Sequence, residues 1–104
     1  MKDDERVLLV ALIAGEPKEN DLLASLEDAI VEEMDDGGMG GLLFCRPDDR
    51  PRRFGKKLVE KEFVDVDGVP VMVAVNLDDD GELYELDIWK VDFSPLKRFP
   101  SVIE

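Results

Sequence analysis

The chain has 104 residues, 44% hydrophobic and 38% charged, with 26 acidic and 13 basic side chains, a formal net charge of −13 and an isoelectric point near 4.3. A chain of this size is expected to form one domain over residues 1–104, with a modest core and no separate cofactor domain. Its charge repels phosphate backbones and anionic bilayers, so nucleic-acid and membrane partners are excluded and a basic protein partner is favoured.

Asp3 or Asp4 is placed to cap a helix with an acidic first turn. Val7 to Ala14 is apolar nearly all round, which predicts a largely buried helix stopped by Gly15 and Pro17. The run is too short to span a bilayer. Met1 to Glu5 is acidic and unlike a signal peptide, so a cytoplasmic location is expected. Leu22, Leu23 and Leu26 lie at helical spacing and give a second short helix or a turn.

From Ala29 the period changes. Ile30, Glu32 and Met34 alternate with Val31 and Glu33, as in a strand. Asp35 to Gly41 is too rich in glycine for regular structure, and Leu42 to Arg46 reads as a second strand, so the pair forms a hairpin. Cys45 is the sole cysteine, which rules out an intramolecular disulfide. Beside Leu43 and Phe44 it is expected to be a buried, inert thiol, although the neighbouring Arg46 could lower its pKa.

Pro47 to Gly55 is a polar loop. The stretch Arg46–Lys57 carries a net charge of +4 against −17 for the rest of the chain. Leu58 to Val66 reads as a strand ending at Asp67-Gly68, a hairpin signal. Val69 to Leu77 alternates cleanly, Asp78-Asp79-Asp80-Gly81 turns the chain, and Leu83 to Phe93 is a long last strand ended by Pro95. Its apolar residues change face, from Leu86 and Ile88 to Trp89, Val91 and Phe93, which predicts a bulge or strong twist near Ile88. The predicted fold class is α+β, one or two N-terminal helices packed on an antiparallel meander sheet of about five strands.

The chain has no histidine, which removes the commonest general base and metal ligand together with Ser-His and Cys-His nucleophile pairs. The glycines of Asp35–Gly41 lack the Gly-Lys-Ser/Thr ending of a phosphate-binding loop. Asn76, Asp78, Asp80, Gly81, Leu83 and Asp87 match the spacing of a calcium loop. However, that loop is normally flanked by helices and closed by Glu, so an acidic hairpin turn is expected. No metal and no cofactor are expected; were a cation to bind, Asn76, Asp78 and Asp80 would hold it. Glu85 and Asp87 share a strand face, and Trp89 and Phe93 share the same phase with core positions the expectation for both aromatics.

Two segments carry a resemblance. Glu33-Met34-Asp35-Asp36-Gly37-Gly38-Met39-Gly40 and Glu82-Leu83-Tyr84-Glu85-Leu86-Asp87-Ile88-Trp89-Lys90-Val91-Asp92-Phe93-Ser94-Pro95-Leu96 resemble a family of small uncharacterised bacterial proteins with a MxDGGMGS turn and a C-terminal ELDxWKVDFSPL strand. Gly41 stands where the family has Ser, which weakens a role for a hydroxyl there. The family brings no activity. Similar small acidic proteins are often encoded among bacterial toxin–immunity cassettes, and by that association an immunity-type inhibitor of a basic toxin is the expected form of partner binding.

The leading expectation is therefore a non-catalytic protein-binding module, with Asp35, Asp36, Glu85, Asp87, Arg52 and Arg53 as its contact residues. One alternative is a small enzyme or ligand-binding protein with a carboxylate- and arginine-lined pocket on the sheet. Another is a homodimer without ligand, joined through an exposed sheet face or edge.

Overall fold

The computed structural model describes residues 1–34, 40–45 and 53–100. These contain α1 (Asp3–Ile13), α2 (Glu19–Glu27), β1 (Ile30–Glu33), β2 (Leu42–Cys45), β3 (Phe54–Val64), β4 (Pro70–Asp78) and β5 (Leu83–Lys90). The class is α+β, with the helices at the N-terminus and the sheet antiparallel throughout.

The N-cap of α1 is Lys2 rather than Asp3 or Asp4. Glu5 explains the shift, because its carboxylate reaches back to accept the Lys2 N–H at 2.8 Å. Only one stripe of the helix is buried: Leu8, Leu9, Leu12 and Ile13 face inward while Val7 and Val10 are exposed. An all-round apolar run fills a core only when layers pack on both sides, and α1 has a layer on one side. Gly15, at φ 82°, ends the helix, and α2 folds back so that Arg6 lies 3.8 Å from Glu27.

The sheet order is β1-β2-β5-β4-β3. This departs from a plain meander at one point, where β5 inserts between the β1–β2 hairpin and β4. Leu86 of β5 thus pairs with Leu42 on one side and Val75 on the other. The bulge falls at Tyr84, between the Asn76–Glu85 and Leu77–Leu83 pairs, instead of near Ile88. β5 ends at Lys90, so the apparent change of face beyond it is the chain leaving the sheet. β3 begins at Phe54, four residues before the expected start, and its first turn of ladder needs Gly55: any Cβ there would overlap the backbone of Asp78.

Val71, Val73, Val75 and Leu77 of β4, Leu83, Leu86 and Ile88 of β5, and Leu42 and Phe44 of β2 form one hydrophobic cluster with the inward stripes of both helices. Leu96 and Phe99 of the tail pack against the same cluster. Among the described residues, no helix is long and apolar enough to cross a membrane.

Candidate functional site

The register fixes what the opposite face of the sheet displays. It carries Lys57, Glu60, Glu62 and Val64 of β3, then Pro70, Met72, Ala74 and Asn76 of β4. β5 adds Glu85, Asp87 and Trp89, and β2 adds Leu43 and Cys45. Among the described residues this face carries no helix. It grades from a polar end at Asn76, Glu85 and Lys57 to an apolar end at Met72, Trp89 and Val64.

At the polar end, Glu85 and Asp87 are half-buried two residues apart on one strand, as the alternation predicts. The Asn76 Nδ2 donates to Glu85 Oε1 at 2.8 Å, and the Lys57 ammonium lies 2.6 Å from Glu60 Oε2. Arg53 sits elsewhere, just before β3, where its carbonyl accepts the Asp79 N–H at 3.0 Å. Asp35, Asp36 and Arg52 lie outside the described residues. Cys45 is exposed, not buried: in β2 it is Leu42 and Phe44 that point inward, and the alternation turns Cys45 out.

At the apolar end the expected core placement of the aromatics is overturned. Trp89 is half-buried across from Met72 on the helix-free face, and Phe93 is 77% exposed. Val64 (65%) and Val91 (47%) are exposed at this end on the two sides of Pro70: Val64 pairs with Pro70 in the β3–β4 ladder, and the Val91 N–H donates to the Pro70 carbonyl at 3.0 Å. Phe93 has φ 60°, a left-handed conformation unusual for an aromatic residue. Its N–H is held by the Lys90 carbonyl at 2.8 Å, while Asp92 Oδ1 accepts both the Ser94 N–H and hydroxyl at 3.0 and 2.7 Å.

Behind this end lies a buried ionic network that composition alone did not single out. Lys90 is fully buried, and its ammonium lies 2.9 Å from Asp65 Oδ2 and 2.6 Å from Asp67 Oδ2. Asp65 Oδ2 also accepts the Lys97 N–H at 2.8 Å, so the network joins the β3–β4 turn, β5 and the tail. The Lys97 N–H and the Lys90 ammonium hold the Asp65 carboxyl down at about 2 against the cost of burial. The same ammonium lowers Asp67. Burial opposes the charge on Lys90, yet the two carboxylates outweigh it and raise its pKa. A lysine kept charged and paired on two sides is a clamp, unsuited to act as an amine base or nucleophile. The signal was in the alternation: Lys90 falls in phase with the inward Leu86 and Ile88, and an inward lysine requires a carboxylate partner.

The acidic turn has a structural explanation. Asp78 is buried, and its Oδ1 accepts the N–H groups of Asp80 and Glu82 at 2.9 and 3.0 Å, closing the turn before Gly81 at φ 83°. Asp78, Asp79 and Asp80 have carboxylate oxygens within 4.8 Å of one another. Asn76 turns to Glu85 on the sheet face, so the three residues of the calcium-like spacing do not act as one set.

The model of a family described as a domain of unknown function, DUF6984, matches residues 1–100, and the chain belongs to that family. No curated protein and no solved structure matches the chain.

Proposed function

We propose that this member of the DUF6984 family is a non-catalytic protein-binding module that takes a basic protein partner on the helix-free face of its sheet. The observation that carries the reading is Phe93, an aromatic side chain set in a strained backbone, pinned on both sides and exposed just past the end of β5, the strand that carries Trp89 on the helix-free face. Backbone strain of this kind persists where the surroundings enforce it, and it concentrates at binding sites. Exposed aromatics ringed by polar groups are the usual anchors of protein interfaces. Glu60, Glu62 and Asp87 border the apolar end, and the net charge of −13 would steer a basic surface toward it. Inhibition of a basic toxin, in the manner of an immunity protein, is the specific form that this charge favours.

Capture from an extract of the source organism at low and at high salt tests the reading. The expected catch is a basic protein lost as salt rises. No catch at low salt, or one indifferent to salt, counts against it. Light scattering on the isolated protein separates this reading from self-pairing through the same face, which would give a dimer with no other partner present.

A further inference from the structure

Asn76 lies mid-sheet on the helix-free face and is only 5% exposed. Its Nδ2 donates to the Glu85 carboxylate at 2.8 Å. A carboxylate only accepts, so this bond fixes the orientation of the amide and leaves Oδ1 as the acceptor still to be satisfied. That oxygen is buried and has no hydrogen-bond partner. An orphaned acceptor destabilises a fold, and native structures keep few of them without a functional reason.

The groups around it are mostly acceptors. Glu85 is its direct neighbour, Asp87 follows on the same strand face, and Glu60 lies three residues along from the Lys57 that pairs with Asn76 across the sheet. The Lys57 ammonium, the nearest cation in the register, is drawn off to Glu60 at 2.6 Å. A buried amide oxygen beside a carboxylate asks for a donor that is cationic and offers more than one N–H.

We infer that Asn76 Oδ1 and the Glu85 carboxylate form a receptacle for a guanidinium group, an arginine side chain presented by the protein partner. The planar fork of a guanidinium spans an amide oxygen and a carboxylate oxygen together, which a point-charge ammonium does not. A hard metal ion fits less well, since it needs several oxygens converging on one point. Among the described residues the carboxylates close enough to share an ion are Asp78, Asp79 and Asp80, at the turn and not at Asn76. Lys57 is half exposed and directly opposite Asn76, so its side chain is the one that swings out to admit the guanidinium. The identity of the guanidinium's owner rests on the protein-binding reading; the receptacle itself does not.

The chain has two asparagines, Asn20 and Asn76, and no glutamine, so its side-chain amide spectrum holds one exposed reference and one buried reporter. The probe is N-acetyl-arginine methylamide, titrated into the full chain labelled with nitrogen-15. The expected result is a saturable shift of the Asn76 pair in the millimolar range with the Asn20 pair fixed. Glu85→Gln should weaken it roughly tenfold, since it removes the charged half of the fork. Asn76→Val should abolish the backbone response and raise the melting temperature, because it deletes the orphaned oxygen. The receptacle is overturned if the Asn76 pair stays still, if N-acetyl-lysine methylamide or calcium chloride moves it equally, or if Asn76→Val melts lower than wild type. A still amide alongside a salt-labile protein catch sinks the receptacle alone; a saturable amide shift with no catch sinks the protein-binding reading alone.

Discussion

Phe93 and Lys90 are three residues apart and do opposite things with their side chains. Phe93 is held out into solvent at φ 60°, a conformation that costs a non-glycine residue about 1–2 kcal/mol. Asparagine tolerates that region far better, so Phe93→Asn is expected to stabilise the fold by about 0.5–1 kcal/mol, read from the urea midpoint. A loss of stability would mean that the ring packs in the fold instead of serving a partner. Lys90 is drawn inward, and its partners give the fold a defined pH response. The Asp65 carboxyl is lowered from 3.8 to about 2, so the stability it contributes is full above its unfolded value and lost as pH falls toward 2. Lys90 is raised above 10.5, so its share is full below that value and lost as pH climbs past it. Asp65→Asn should therefore lower the urea midpoint at neutral pH, with the gap to wild type closing between about pH 4 and pH 2. A gap that stays constant through that range would show that the Asp65 charge does not matter.

At the scale of elements, the turns were the most legible part of the sequence. Asp67-Gly68 and Asp78 to Gly81 mark two hairpin turns because aspartate closes the turn and glycine takes positive φ. The alternation of β4 was equally plain. The end of β5 was not, because the shift of apolar residues to Trp89, Val91 and Phe93 reads as a bulge near Ile88 that would carry the aromatics into the core. What ends the strand is a set of contacts distant in sequence: Lys90 to the β3–β4 turn, and the tail to Asp65. The start of β3 was missed for a similar reason, since Gly55 makes sense only against the Asp78 backbone. Gly55→Ala is accordingly expected to cost about 1–3 kcal/mol, the range for forcing extra atoms into a packed site. A neutral result by chemical denaturation would place that ladder contact in doubt. In α1, Leu9 is fully buried, and Leu9→Ala should cost about 2–5 kcal/mol, whereas Val10→Ala on the exposed side should change little. Equal costs would contradict the one-sided burial of the helix.

Across the whole molecule, two helices and a tail cover one side of the sheet and leave the other, among the described residues, to polar and apolar side chains in a graded order. Composition revealed the charge but not its arrangement. The pairing of Asn76 with Glu85, and the placing of Val64, Met72 and Trp89 at one end, both depend on the register of β3, β4 and β5. The basic stretch singled out in the sequence contributes Arg53 beside the acidic turn, away from Phe93. Partner binding through the helix-free face is tested most directly by capturing proteins with wild type and with Phe93→Asn side by side, after confirming that both fold. The expected result is a basic protein held by wild type and lost from the better-folded Phe93→Asn. The same protein held equally by both would contradict the assignment of that face.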